Sequence, residues 1–585
     1  MRLACRQRRI GLRPCCHLLY KLSVGMAPLN LARQALRVFS IPVTRSTTLN
    51  NSDLIVRILK DAGVTHGFGI PSGNVLPFIE AMRKGGLEFV LTGHEGSASF
   101  AADVSGRLTG RPGLCVATLG PGATNLATGV GSAYLDRSPM IAITCNLNSN
   151  QLGRRLQMMI DHHALFAPIT KATLAARHDN VAEVMEQALR IAMTEPRGPV
   201  HIDLPEDVSL APAPPMPATD AIYSPPLSPF GIADAADLRA ANTLLAKSRR
   251  PLAVIGSSAM RMLGHERLLA FIEHYNMPFA TTTMAKGLID EDHPLSIGCI
   301  ERARRQMQRS FIRNCDLVVG LGYDTIEVEY EAWVGKVPVL AIDIETPDVD
   351  ASVTIAGTVL GDLDLNLEAL AALPTAANDW QVDELAQHRA DFAAALRPAS
   401  QNLTPHEVID VVRDHLPKAG ILAFDVGAHT HQIASQWLTH LPETFLITNG
   451  WSSMGFGLPA AIAAKLARPD LPVVCVIGDG CFQMTCGEVA TARRQNLNIP
   501  IVVLDDRWLS LIQIKQVRRQ YPQYGSEVEP AEYETPPAHY FGVPAVGVRD
   551  AQALRKALAD AFLASGPTVI EAVVDASHYM DTVFD

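Results

Sequence analysis

The sequence predicts an α/β protein made of three doubly wound parallel-sheet domains. Three observations carry that expectation. In three separate stretches, short apolar runs alternate with helical patterns, as strands followed by crossover helices do. A proline-rich segment without periodicity divides the first stretch from the second. The 585 residues also exceed what one hydrophobic core organises, at roughly 100–200 residues per domain.

Residues 1–48 form an N-terminal extension. Nine basic residues and no acid precede Asp53. Setting them against the net charge of −10 leaves about −19 on the remainder. The segment reads equally as an organellar transit peptide or as an over-extended start before Met26, and it is set apart from the fold. The first α/β domain is expected over 49–212, with strands in GVTHGFGI, LEFVLTG, GLCVATLG and PMIAITCN. A linker over 213–229 follows, within APAPPMPATDAIYSPPLSP. The central domain, 230–373, takes its strands from RPLAVIGSSA, CDLVVGLGYD and VPVLAIDIE, and residues 374–400 read as a connecting helix. The last domain, 401–585, is marked by GILAFDVGAH, LPVVCVIGDG, IPIVVLDD and PTVIEAVVD.

Composition excludes several partners. A hydrophobic content of 48% with 19% charged residues describes a globular protein. The acidic body argues against a nucleic-acid surface, and no apolar run reaches the roughly 18–20 residues that span a bilayer. Ten scattered cysteines without a CxxC pair indicate a reducing compartment and no zinc site; Cys115, Cys145 and Cys475 sit in strand-like apolar runs. A soluble cytoplasmic protein is expected, or a mitochondrial one if the extension is a transit peptide.

The sharpest chemical signal is Gly478-Asp479-Gly480 after the apolar run VVCVI, with Asp505-Asp506 closing the next strand. Asp479 and Asp506 lie 27 residues apart, the length of one strand–helix–strand unit. In an open α/β sheet, loops at the carboxyl ends of adjacent strands meet in one crevice. Two carboxylates there can hold a hard divalent cation, and the cation can neutralise a diphosphate. Glycine at 478 and 480 lets backbone N–H groups approach phosphate oxygens, next to the N-terminus of a helix.

These residues carry a family resemblance. GDGCFQMTCGEVATA…NIPIVVLDD resembles the cofactor-binding segment of thiamine-diphosphate enzymes, especially acetolactate synthase large subunits. FGIPSGNVLPFIEAM, TGHEGSASFAADVSGRLTGRPG, TLGPGATNLATGVGSAYLDRSPMIAIT and NGWSSMGFGLPAAIAAKLA resemble the other segments of that family, in the same order from Asn50 onward. The resemblance implies a pyrimidine-binding first domain, a central domain and a diphosphate-binding last domain. Glu95 matches the glutamate that bonds the aminopyrimidine ring. Met454 matches the residue that bends the cofactor, and Ser452 the main-chain carbonyl that receives its amino group. Gly427, His429, Gly480 and Cys481 match diphosphate contacts. Asp479, Asp506 and the backbone carbonyl of Trp508 match the ligands of Mg2+. Gly73, Gln157 and Lys171 match positions that touch substrate or intermediates.

Two departures narrow the expectation. Asp506 stands where the family more often has asparagine, and Lys515 stands where acetolactate synthases place the tryptophan that selects the second oxo acid. The central domain lacks the Gly-Met-His-Gly and Arg-Phe-Asp-Asp-Arg stretches of the flavin-containing synthases, and its GYDTIE resembles the flavin-free branch, so FAD is not expected. The implied reaction is decarboxylation of a 2-oxo acid such as pyruvate, with carboligation to a second carbonyl. Simple decarboxylation is the alternative, and a non-catalytic paralogue a more distant one. The resemblance also implies a homodimer or homotetramer, with each site shared between subunits.

Overall fold

The strand-forming runs are apolar at nearly every position because helices cover both faces of each sheet. MIAITCN at 140–146, VLAID at 339–343, VVCVIG at 473–478 and PIVVLD at 500–505 are buried throughout. The computed structural model describes residues 49–214, 229–327, 333–528 and 536–583. The expected extension 1–48, and residues 215–228 of the expected linker, lie outside the described residues.

The chain is an α/β protein of three parallel-sheet domains. The first sheet holds β1 (His66–Gly69), β2 (Glu88–Leu91), β3 (Gly113–Thr118), β4 (Met140–Asn146), β5 (Ala172–Ala175) and β6 (Pro199–Pro205) in the order 2-1-3-4-6-5. The second holds β7 (Pro251–Ile255), β8 (Phe279–Thr281), β9 (Ser296–Cys299), β10 (Leu317–Leu321), β11 (Val339–Asp343) and β12 (Ile355–Leu360) in the order 12-11-10-7-8-9. The third holds β13 (Ile421–Phe424), β14 (Phe445–Leu446), β15 (Val473–Gly478), β16 (Pro500–Asp505), β17 (His539–Tyr540), β18 (Val543–Val548) and β19 (Thr568–Val573) in the order 14-13-15-16-19-18-17. Every described pairing is parallel except β17 with β18 at the third sheet's edge. Within 374–400, a helix spans Val382–Ala395.

Each sheet has a reversal of strand order, between β1 and β3, between β7 and β10, and between β13 and β15. Loops leaving the carboxyl ends of such a pair diverge and open a crevice.

The first and third domains share a core. The helix Glu95–Thr109 lies against the helix Gly457–Ala467, which is buried from Gly457 through Ala464. Phe100 meets Phe456 edge-on with ring centroids 5.7 Å apart, a geometry aromatic quadrupoles favour. A buried polar clamp crosses the same boundary. Arg107 donates to both oxygens of Asp103 at 2.7 Å, to Asp136 at 2.9 Å and to the Ile447 carbonyl at 2.7 Å. Asp136 also accepts the N–H groups of Asn449 and Gly450 at 3.1 and 2.7 Å.

Replacing Arg107 with methionine would strand two buried carboxylates, at a cost of about 3–5 kcal/mol. The thermal midpoint of Arg107→Met followed by circular dichroism should fall by several degrees. Lys556→Met, which removes an exposed pair with Asp560, should leave the midpoint in place. Equal midpoints for the two variants would contradict the clamp's importance.

Candidate active site

β15 and β16 pair in parallel from Cys475 with Ile501 to Gly478 with Leu504, so they end side by side. The next residue after β15 is Asp479, and the next after β16 is Asp506. Asp479 accepts the Gly480 N–H at 2.6 Å and, through its other oxygen, the Arg507 N–H at 2.8 Å. The second bond ties it to the residue adjoining Asp506. Asp506 accepts the Trp508 N–H at 3.0 Å and the Ser510 hydroxyl at 2.6 Å. Burial first, and then the negative charge of Asp506, push the Asp479 carboxyl well above the ordinary range. Asp506 is raised too, chiefly by burial. Two carboxyls that resist ionising together are suited to a divalent cation, whose charge cancels the repulsion.

Both acids line one cavity of about 320 Å³ at the carboxyl ends of β13, β15 and β16. Gly427, His429, Ser452, Met454, Gly480, Cys481 and Trp508 line it as well. The structure therefore brings together every residue of the third domain expected to hold metal or cofactor. Glycine has a local reason here. A Cβ on Gly427 or Gly478 would come within 2.8 or 3.0 Å of the His429 ring, and one on Gly480 within 2.7 Å of Leu509. The His429 imidazole is buried, and burial followed by the nearby His431 lowers its pKa to about 4. It is therefore neutral, and its Nε2 meets no hydrogen-bond partner among the described residues. A buried polar atom left open beside a cavity suits a ligand that can hydrogen-bond to it. Orphaned imidazole, glycine-lined floor and paired carboxylates together fit a metal–diphosphate group.

Asp425 shapes the rest of the cradle, although the sequence reading did not single it out. Fully buried, it accepts the N–H groups of Val426 at 2.8 Å, Gly455 at 2.9 Å and Gly457 at 2.8 Å. It thereby fixes the turn that carries Met454. Ser510 on Asp506 and Tyr579 at the cavity wall also went unnoticed. The four-residue spacing from Asp506 to Ser510 is a signal that could have revealed the first. Nothing in the sequence places Tyr579.

The first-domain candidates lie elsewhere. Glu95 opens the helix Glu95–Thr109, is buried, and accepts the Asn125 amide at 3.1 Å. Gly73 and Gln157 are exposed. The Lys171 ammonium bonds the carbonyls of Ile191 and Thr194, both at 2.6 Å. It caps the C-terminal end of the helix Val181–Met193, where a cation is favoured. That occupation differs from the substrate contact expected of it. None of these four residues lines the 320 Å³ cavity.

Comparison with known proteins agrees with this geometry. Residues 49–165 match the N-terminal TPP binding domain of thiamine pyrophosphate enzymes, 238–370 the central domain and 425–572 the C-terminal TPP binding domain. A probable acetolactate synthase large subunit of Methanocaldococcus jannaschii is 31% identical over 92% of this chain and 93% of its own. The chain belongs to the thiamine pyrophosphate enzyme family. Other members similar to it are the acetolactate synthase large subunit of Parasynechococcus marenigrum, 30% identical over 90% of this chain and 87% of its own, and the acetolactate synthase isozyme 2 large subunit of Escherichia coli, 30% identical over 79% and 84%. Among the described residues of this thiamine pyrophosphate enzyme, no helix is long and apolar enough to cross a membrane.

The raised carboxyl pair sets a pH dependence. A folded-state pKa above the unfolded value means that the metal-free chain loses stability as pH rises from the ordinary carboxylate range near ~4. A divalent cation binds the deprotonated pair, so its stabilising effect grows with pH. Thermal shifts with Mg2+ and thiamine diphosphate should therefore be larger near pH ~8 than near pH ~6. A hundredfold excess over Kd contributes about 2.7 kcal/mol. Asp479→Asn should abolish most of the Mg2+-dependent shift, and an undiminished shift would exclude Asp479 as a ligand.

Proposed function

We propose that this enzyme decarboxylates a 2-oxo acid such as pyruvate and joins the remaining fragment to a second carbonyl compound, using thiamine diphosphate and Mg2+. One observation carries the reading: Asp479 and Asp506, at adjacent strand ends, share a cavity with the orphaned His429 imidazole and a glycine-lined floor. The names of its relatives, acetolactate synthase large subunits at 30–31% identity, support the same chemistry. Thiamine diphosphate, when bound, supplies the electron sink that makes loss of carbon dioxide from a 2-oxo acid feasible.

The chain's own residues do the rest. Asp479, Asp506 and the Trp508 carbonyl would hold Mg2+. Gly427, His429, Gly480 and Cys481 would line the diphosphate site. Met454 and Ser452, on the turn tied down by Asp425, would fix the cofactor's bend. Glu95 would hold a proton at the pyrimidine ring nitrogen, oriented by Asn125. Burial keeps water from competing for that proton.

Glu95 and the cavity lie apart within one chain, which supports a homodimer in which Glu95 of one protomer faces the metal cavity of its partner. Exposed Gly73 and Gln157 would reach substrate in the same way. Flavin has no part in this reading. At the central crevice between β7 and β10, the Glu327 carboxylate accepts the Ser257 N–H at 2.8 Å and bonds the Thr282 hydroxyl. Burial raises that carboxyl to about 7, and both of its oxygens are already engaged by these two donors.

Purified enzyme given pyruvate, Mg2+ and thiamine diphosphate should release carbon dioxide and form acetolactate. Glu95→Gln should slow this by about 10²–10⁴-fold. Acetaldehyde as the only product would assign simple decarboxylation, and no carbon dioxide from a broad panel of 2-oxo acids would overturn the proposal.

A further inference from the structure

Lys515 is the one cationic side chain among the residues lining the 320 Å³ cavity whose ammonium group the cofactor reading leaves without a task. It lies on the helix Ser510–Arg518 and is half-buried. It forms no hydrogen bond or ion pair through its side chain with any described residue, although Asp479 and Asp506 line the same space. The turn after Glu301, whose carboxylate holds His431 at 2.9 Å, runs beside the C-terminal helix Tyr579–Thr582, with the Arg304 N–H on the Thr582 carbonyl at 2.8 Å. That turn carries Arg302. Burial first, then the guanidinium groups of Arg302 and Arg519, lower the Lys515 pKa. A half-buried ammonium facing other cations is unfavourable until an anion arrives.

We propose that Lys515 is a specificity residue that recognises a carboxylate carried by the second carbonyl substrate. This rests on the two-substrate reaction proposed above. The donor's carboxylate departs as carbon dioxide, and a cation fixed on it would stabilise the ground state more than the transition state. The carboxylate of an oxo-acid acceptor persists through the reaction, so an ammonium there contributes to binding throughout. A neutral aldehyde offers it nothing.

The decisive comparison is between Lys515→Met and Lys515→Arg in the full-length enzyme. For Lys515→Met, kcat/KM with a 2-oxo acid acceptor, relative to kcat/KM with acetaldehyde as acceptor, should fall at least tenfold, and Lys515→Arg should recover most of it. Calorimetric titration of the Mg2+ and thiamine diphosphate-loaded protein with oxamate, and with uncharged oxamide, tests recognition without turnover. Oxamate affinity should fall tenfold in Lys515→Met while oxamide affinity stays within about twofold. Unchanged oxamate affinity, or an equal loss for both acceptors, would overturn the proposal. So would a tenfold loss of thiamine diphosphate affinity by fluorescence titration, which would make Lys515 a counter-ion of the diphosphate. If the unsubstituted enzyme releases no carbon dioxide, the reaction reading fails, and the oxamate titration still decides whether Lys515 binds a carboxylate.

Discussion

Two carboxyl groups emerging from the ends of adjacent parallel strands, largely buried, repel each other and resist ionising. Asp479 and Asp506 are set in that position by the register of β15 and β16, and neither can turn away. Asp479 is fastened by two N–H groups, and Asp506 by an N–H and a hydroxyl. The donors that hold the pair do not neutralise it, because burial still raises both carboxyls. A divalent cation would balance the pair, and one held by two carboxylates and a carbonyl would retain positions for other oxygens. His429, kept neutral by burial, lines the same space. The pair is thus a region of local instability that a bound metal and anion would offset.

Much of this was legible in the sequence, for definite physical reasons. Strands buried on both faces are apolar at nearly every position, so β3, β4, β15 and β16 stood out as apolar runs. Short edge strands did not. β5 is half-exposed, β14 is two residues long, and β17 pairs antiparallel at the sheet's rim; none needs an apolar run. The third domain's site was equally readable, because Gly478, Asp479 and Asp506 follow directly from strand ends. Asn125, Asp425 and Tyr579 escaped notice because their importance lies in what the fold sets beside them. Lys171 shows the converse. Its place in a motif suggested a substrate contact, while the nearest strong attraction for its ammonium was a pair of helix-end carbonyls.

The central domain has the same kind of opening with different side chains facing it. Its strand order reverses between β7 and β10 as the third domain's does between β13 and β15, yet the two crevices differ in what faces them. Gly256 is glycine because a Cβ would come within 2.4 Å of Tyr323 and 3.0 Å of Glu327. The loop carrying Glu327 therefore approaches the sheet closely and sets a carboxylate at the crevice. Fold provides the opening, and the side chains decide whether a phosphate can enter it.

The cofactor cradle also depends on a domain that does not line it. Ser452 has a φ of +52°, a conformation that costs a non-glycine residue about 1–3 kcal/mol and persists only where its surroundings impose it. The preceding residues are held by the first domain. Ile447, Asn449 and Gly450 are bound through their backbone to Arg107 and Asp136, Thr448 through its hydroxyl to Ser132, and Trp451 through its indole to Thr128. Trp451 can lie on the helix Pro121–Leu135 because residue 131 is glycine, whose Cβ would sit 2.6 Å from the indole. Arg107 and Asp103 ride on the helix that begins with Glu95, and Asn125, which holds Glu95, rides on the helix that carries Ser132 and Thr128. The same two helices therefore orient the Glu95 carboxyl and tether the segment leading into the third domain's cavity. A change in their packing would reach both halves of the chemistry at once, which accounts for burying an arginine with two carboxylates at a domain boundary where apolar packing alone would hold the surfaces together.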